Sequence, residues 1–89
     1  MSAGRTVKLL YFAWVREKVG RAEETVELSD ELETVSDLVA WMKARGPEYA
    51  AAFERHDVIR AAIDQRHVRP TASIRGAREI AFFPPVTGG

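Results

Sequence analysis

The chain has 89 residues, of which 46% are hydrophobic and 29% charged, and its thirteen basic residues balance its thirteen acidic ones. This length predicts one domain with one modest core, and the balanced charge argues against a dedicated nucleic-acid-binding protein. The absence of cysteine excludes disulfides, thiolate metal sites and a cysteine nucleophile. With no signal peptide or membrane-length apolar run, we expect a cytoplasmic protein without a membrane partner.

Acidic and basic residues are separated along the chain. Residues 17–57 carry eleven acidic against five basic residues, whereas residues 1–16 and 58–89 are predominantly basic. If the two ends meet in the fold, they form a basic face suited to an acidic partner. The alternative is a solvated surface without a partner.

The first third of the chain predicts two strands and a short helix. Thr6–Phe12 predicts a strand with alternating faces, and Ala13–Val19 predicts a short helical turn that ends at Gly20. Glu24–Leu28 alternates again and predicts a half-buried second strand. The neighbouring acidic pair Glu23-Glu24 is interpreted as solvated surface.

The main amphipathic helix is predicted to begin after Thr34. Thr34 and Asp37 form the S/T-x-x-D/E signature of a helix N-terminus. One apolar stripe follows at helical spacing, made of Val35, Leu38, Val39 and Met42. Gly46-Pro47 ends the helix, and Pro47–Arg55 predicts a further short helix with Pro47 at its first position.

Three more strands complete the prediction. They cover Val58–Asp64, Arg66–Arg69 and Glu79–Phe83, with a loop over Pro70–Ala77. In the third strand we expect Ile59, Ala61 and Ile63 to point inward. The order ββαβββ indicates an α+β fold in which one helix packs across a mixed sheet.

Residues 84–89 predict an extended tail after a domain that spans residues 1–83. Pro84 and Pro85 each fix φ near −65° and hold the preceding residue extended. After Val86 and Thr87, Gly88 and Gly89 add no side chains. The result is a stiff stalk with a thin tip, which suits insertion into another protein's active site. A frayed terminus is the alternative.

Strand alternation predicts an apolar patch outside the core. Lys8 marks the solvent face of the first strand and Glu79 that of the last, so Phe12 and Phe83 share those faces. If the two strands are neighbours, these rings form a docking surface near the base of the tail. A second helix or loop that covers the patch is the alternative.

Signals for an ordinary active site are weak. His56 and His67 lie eleven residues apart without a nucleophile motif, and neither glycine-rich phosphate-loop pattern occurs. We therefore expect no catalysis by the chain alone, no metal site and no bound cofactor.

Three segments resemble a known family. Val7–Gly20, Glu23–Leu28 and Glu79–Gly89 are similar to the small subunit of molybdopterin synthase, the MoaD-type sulfur carriers, and the ending FFPPVTGG is the most specific part. The resemblance implies a ubiquitin-like β-grasp fold: a mixed five-stranded sheet, one main amphipathic helix and short additional helices. It also implies that the first and last strands are adjacent.

The resemblance further implies a function in molybdenum cofactor biosynthesis. An E1-like, ATP-dependent adenylyltransferase would activate the Gly89 carboxylate, and a sulfur donor protein would convert it to a thiocarboxylate. The large synthase subunit would then receive the tail and pass sulfur to cyclic pyranopterin monophosphate. Gly88 would give access and Pro84–Thr87 would contact the partner, while Phe12, His67 and Phe83 would form its docking patch.

Three other functions stay open. They are a related carrier for thiazole synthesis or another thiolation, a ubiquitin-like modifier that is joined to lysines, and an interaction module with an inert tail. The chain also departs from the family where Asp64-Gln65 replaces the common Asn-Gln and where Gly76-Ala77-Arg78-Glu79 forms a more basic turn. These departures affect the expected partner electrostatics and leave the tail chemistry unchanged.

Overall fold

The computed structural model describes residues 5–85. Its strands form one five-stranded mixed sheet with the order β2-β1-β5-β3-β4. β1 and β5 are parallel, and the other neighbouring pairs are antiparallel. The elements are β1 (Arg5–Tyr11), α1 (Ala13–Val19), β2 (Glu23–Leu28), α2 (Val35–Lys43), α3 (Pro47–Ala52), β3 (Arg60–Ile63), β4 (Arg66–Val68) and β5 (Glu79–Phe83). The expected adjacency of the first and last strands is confirmed.

One face of the sheet, which we call the inner face, packs against all three helices. Leu9, Ile80 and Phe82 are fully buried on this face and share one core cluster with buried residues of the helices. The helix contribution comes from Val15, Val19, Val35, Leu38, Met42, Tyr49 and Ala52. The opposite, outer face therefore lies away from the helical layer.

The main helix begins as its sequence predicts. Thr34 accepts a hydrogen bond from the Asp37 N–H at 3.1 Å, and the Asp37 carboxylate accepts one from the Thr34 N–H at 3.1 Å. These reciprocal bonds form a capping box and satisfy two backbone donors that the first turn would leave free. The same backbone hydrogen bonds, led by one from Glu33, lower the pKa of Asp37.

Three predicted elements are shorter than expected, and one of them is β4, which ends at Val68 and not at Arg69. α3 ends at Ala52 because Phe53 leaves helical geometry as its C-cap. In β3, Ile59 precedes the strand and is partly buried, as is Ile63, while Ala61 is buried as expected. Both Asp64 and Gln65 have positive φ, at 49° and 73°, which is typical of a two-residue hairpin turn and ends the strand at Ile63.

β5 ends at Phe83, where the predicted domain boundary lies. Residues 86–89 are outside the described part, so the division into domain and tail stays a prediction. No helix in residues 5–85 has the length and apolar character needed to cross a membrane.

Candidate docking face at the base of the tail

An apolar row crosses the outer face of the sheet. Leu10 pairs with Ala81, Ala81 with Ala62, and Ala62 with His67 on four successive strands. Residues directly opposite in a sheet share a face, so all four lie on the outer face. Ala62 and Ala81 are buried although they are outside the core cluster. Their neighbours on the outer face therefore shield them, and the row is a packed apolar surface.

Phe83 and His67 contact each other across this row. Their ring centroids are 5.1 Å apart, and the rings are tilted by 48°. They belong to β5 and β4, which β3 separates, so their backbones are about two strand spacings, roughly 10 Å, apart. The small Ala62 side chain lies between these strands and leaves room for the rings to meet. The structure thus brings together two of the three predicted patch residues.

Phe12 extends the same surface beyond the end of β1. Its backbone is extended, with φ −128° and ψ 153°, and its N–H donates to the Phe82 carbonyl at 3.1 Å. Ala13 then adopts φ 54° in the left-handed region, which starts α1 toward the inner face. Phe12 is 49% exposed and is the only exposed large hydrophobic side chain in residues 5–85. We call Leu10, Phe12, Ala62, His67, Ala81 and Phe83 the outer patch.

The alternative of a covering element finds no support among residues 5–85. All three helices contribute their buried side chains to the core on the inner face. The loop over residues 70–77 also turns inward, because Ile74 and Ala77 join the same core cluster. Within residues 5–85 the outer patch therefore remains open to a partner.

The inner side of β5 is firmly packed behind the patch. The Phe82 ring meets the Phe53 ring edge-on at 5.0 Å and stacks on the Tyr11 ring at 6.4 Å. Pro84 and Pro85 follow directly and are partly buried. The tail is thus attached to a rigid strand. The other tail residues assigned from the sequence, Val86, Thr87, Gly88 and Gly89, lie outside the described residues.

A polar cluster that the sequence analysis missed joins the edge strand to the helices. The Glu24 carboxylate accepts hydrogen bonds from the Tyr11 hydroxyl at 2.6 Å and the Tyr49 hydroxyl at 2.8 Å. Arg45 donates to both Glu24 oxygens, at 2.8 and 3.2 Å. The guanidinium of Arg45 also lies 4.4 Å from the ring centre of Tyr49 and 5.1 Å from that of Trp41.

These contacts decide the ionisation of the cluster. Desolvation by itself would raise the pKa of Glu24, but hydrogen bonds from Arg45, Tyr11 and Tyr49 outweigh it and lower that pKa to about 2. Burial and the hydrogen bond to the carboxylate raise the pKa of Tyr11 and of Tyr49. The cluster is therefore a carboxylate held by two neutral phenols and the guanidinium of Arg45, with the exposed Arg21 guanidinium 3.4 Å from the same carboxylate.

The sequence interpretation of Glu24 as solvated surface is wrong, since its side chain is only 7% exposed. The signal was present in the strand alternation, because Glu24 has the same parity as the inward-facing Val26 and Leu28. Glu23, on the other face, is exposed and lies 3.6 Å from Lys8. Of the two neighbouring glutamates, Glu24 is therefore a buried structural carboxylate and Glu23 an exposed surface carboxylate.

The described residues hold neither a nucleophile–histidine pair nor a metal-ligand cluster. His67 lies in the outer patch, whereas His56 lines an apolar cavity of about 170 Å³ between α2 and β3. Among residues 5–85, no three His, Asp or Glu side chains are grouped to hold a metal ion. The candidate site is the outer patch, which lies next to Pro84 and Pro85 at the start of the predicted tail.

The strand order and the packing of the helices on one face of the sheet define a ubiquitin-like β-grasp protein. A small archaeal modifier protein 1 from Haloferax volcanii shares this fold, with a TM-score of 0.71 and 22% identity over 93% of this chain and all of that one. The chain belongs to the ThiS family, whose model matches residues 9–89.

Curated relatives extend the likeness over nearly the whole chain. The molybdopterin synthase sulfur carrier subunit of Escherichia coli is 39% identical over 93% of this chain and 99% of its own length. The sulfur carrier subunit of molybdopterin synthase from Chlamydomonas reinhardtii is 35% identical over 93% of this chain and 98% of its own. The family resemblance found in the sequence is confirmed.

Proposed function

We propose that the chain is the sulfur carrier subunit of a molybdopterin synthase. The observation that carries this proposal is the identity of 39% to the E. coli carrier subunit over almost the full length of both chains. An exposed apolar patch beside the start of the tail supports it, because a carrier has to dock on a larger protein while its tail enters that protein's active site. The chain itself is a protein substrate without catalytic activity.

The chemistry resides in the carboxylate of Gly89. A free carboxylate is a poor electrophile, so an E1-like adenylyltransferase first joins it to the adenylyl group of ATP and releases pyrophosphate. Hydrosulfide, which a sulfur donor protein releases, then attacks the acyl carbon: the new carbon–sulfur bond forms as the bond to AMP breaks, AMP leaves with the bonding electrons, and the sulfur loses its proton to solvent. In the large subunit, the thiocarboxylate sulfur forms a bond to a carbon of the pterin precursor and displaces an oxygen leaving group. Water then cleaves the acyl–sulfur bond of the resulting thioester, which leaves the sulfur on the pterin and restores the carboxylate. ATP is used only by the activating partner.

The outer patch is the proposed docking surface for the large subunit. Phe12 is exposed and Phe83 is partly exposed, and His67 contacts Phe83 at the edge of the same surface. Pro84 and Pro85 restrict the backbone at the start of the predicted tail. Because β5 carries both Phe83 and the tail, docking of the patch also sets the point from which the tail enters the partner.

Mass spectrometry of the protein, co-produced with the activating enzyme and a sulfur donor, tests the loading step. We expect the C-terminal peptide to gain the mass difference of one sulfur in place of one oxygen. The loaded protein, mixed with a large synthase subunit and cyclic pyranopterin monophosphate, should then form molybdopterin. Lysine-linked conjugates or a tail that stays unmodified would overturn the proposal, and loading without pterin turnover would indicate a carrier for another thiolation.

A further inference from the structure

A single arginine lies beside Phe83 on the outer face. Arg60 of β3 is the direct partner of Phe83 on β5, so the two side chains share that face. Arg60 is exposed and takes part in no ion pair or side-chain hydrogen bond with any other residue in the range 5–85. Its cation therefore stands at the end of the outer patch from which the tail leaves.

Three other charged residues of the outer face, Lys8, Glu23 and Glu79, lie away from Phe83. Lys8 pairs in register with Glu79, and its ammonium group lies 3.6 Å from the Glu23 carboxylate. Glu79 is four residues before Phe83 on β5, about 13 Å away along an extended strand. One end of the outer face therefore carries Glu79 with the cation Lys8 beside it. The end at Phe83 carries the cation of Arg60.

The structure also shows that acidic residues neutralise part of the basic face expected from the sequence. The two ends of the chain do meet, because β1 lies beside β5. However, acidic residues of the middle segment lie close to several basic residues of the two ends. Asp30 is 3.4 Å from Arg5, Glu23 is near Lys8, and Glu33 is 3.9 Å from Arg75. Arg60, which lies beside Phe83 in register, has no such partner among residues 5–85.

A partner that covers Phe83 also removes water from Arg60. A guanidinium that loses water without gaining a counter-charge disfavours the complex, whereas a carboxylate opposite it can form two parallel hydrogen bonds. Arginine is better suited to this geometry than lysine, because its planar group matches a carboxylate. The position of Arg60 at the rim lets such a pair form while apolar area is buried beside it.

We propose that Arg60 is a specificity-determining contact: the surface that receives the outer patch carries an Asp or Glu side chain that pairs with Arg60 next to the site of Phe83. The partner is the large synthase subunit, so this inference rests on the proposed function. The carboxylate selects the cognate large subunit and fixes the direction in which β5 and its tail point.

Titration calorimetry of the full unloaded chain with the large subunit from the same organism tests this. At low ionic strength, about 0.05 M, Arg60→Ala should raise the Kd at least about fivefold, and Arg60→Glu should raise it further. At about 0.5 M salt the difference between wild type and Arg60→Ala should shrink to less than about twofold, because screening removes most of the charge term. Arg60→Lys should keep much of the affinity.

Lys18→Ala is the matched control. Lys18 is exposed in the last turn of α1, in the helical layer away from the outer face, and its loss changes the net charge by the same amount. Equal effects of Lys18→Ala and Arg60→Ala, or wild-type affinity of Arg60→Ala and Arg60→Glu at low salt, would overturn the pairing. Wild-type protein that fails to bind the large subunit would instead overturn the proposed function, and the pairing with it.

Discussion

The hydroxyl of Tyr11 donates a 2.6 Å hydrogen bond to the carboxylate of Glu24, and this bond joins the interior strand β1 to the edge strand β2 through their side chains. The ring of the same tyrosine stacks on Phe82, one residue before the outer patch residue Phe83. A charged group at one edge of the domain is thereby connected through packed side chains to the strand that carries the tail. The cluster around Glu24 consequently has a measurable influence on stability.

Replacing Glu24 with glutamine should lower the free energy of unfolding at pH 7 by about 2–3 kcal/mol. The amide keeps the shape of the carboxylate but removes the negative charge to which Arg45 and two phenols donate, and bonds to charged groups contribute more than neutral ones. Urea unfolding followed by circular dichroism measures the change. Glu23→Gln is the control on the exposed face and should change stability by less than about 0.5 kcal/mol; equal losses in both variants would contradict the assignment.

The same carboxylate predicts a defined acid dependence. Folding lowers the pKa of Glu24 from 4.5 to about 2, so its stabilisation is complete above the unfolded-state value and is lost as the pH falls from about 5 toward 2. Because Asp37 and Asp57 also have lowered pKa values, wild type alone does not isolate this effect. The stability difference between wild type and Glu24→Gln should shrink as the pH falls through that range, and a difference that is constant from pH 7 to pH 2 would contradict it.

Thr34→Ala should destabilise the protein by about 1 kcal/mol, because it removes the side chain that accepts from the Asp37 N–H at the start of α2. The N–H groups in this first turn have no partner within the helix, so loss of the cap leaves one of them to water. Thermal unfolding measures the effect. Ser36→Ala, two residues further on an exposed position, is the control and should leave stability within about 0.5 kcal/mol.

Phe12→Asp should weaken binding to the large subunit at least about tenfold while leaving the free energy of unfolding within about 1 kcal/mol of wild type. Phe12 is half exposed and contributes its backbone N–H, more than its ring, to the fold. Thr25→Asp introduces the same charge on the outer face of the edge strand, opposite Lys8 and away from the patch. If Thr25→Asp weakens binding as much as Phe12→Asp does, the patch is not the contact surface.

Most of the architecture could be predicted from the sequence, because the relevant signals are local. Alternation located β1, β2 and β5, and the Thr34–Asp37 pair located the start of α2. The adjacency of β1 and β5 came from the family resemblance, since no local rule sets strand order. It is this adjacency that places Phe12 and Phe83 beside each other.

The contacts between elements that are far apart along the chain could not be predicted from the sequence. Arg45 follows α2 and Tyr49 lies in α3, and their meeting at Glu24 depends on how the helices cross the sheet. The pairing of Arg60 with Phe83 depends in the same way on the register between β3 and β5. Such side chains look like ordinary surface polar residues until the packing geometry is known. The parity of Glu24 was the one local sign that could have revealed its burial.

Deletion of Gly89 should abolish thiocarboxylate formation without unfolding the domain. The deletion shortens the reach of the tail by about 3.3–3.6 Å, so the new terminal carboxylate would fall short of the reacting position in the activating enzyme. The core cluster spans Val7 to Phe82, which leaves the deletion outside it. Mass spectrometry after incubation with the activating enzyme and sulfur donor measures loading, and urea unfolding checks the fold. Substitution of Thr87 by serine, which preserves the length of the tail, is the control and should still be loaded. A shortened protein that is loaded and supports molybdopterin formation as wild type does would show that Gly89 is not the required carrier residue.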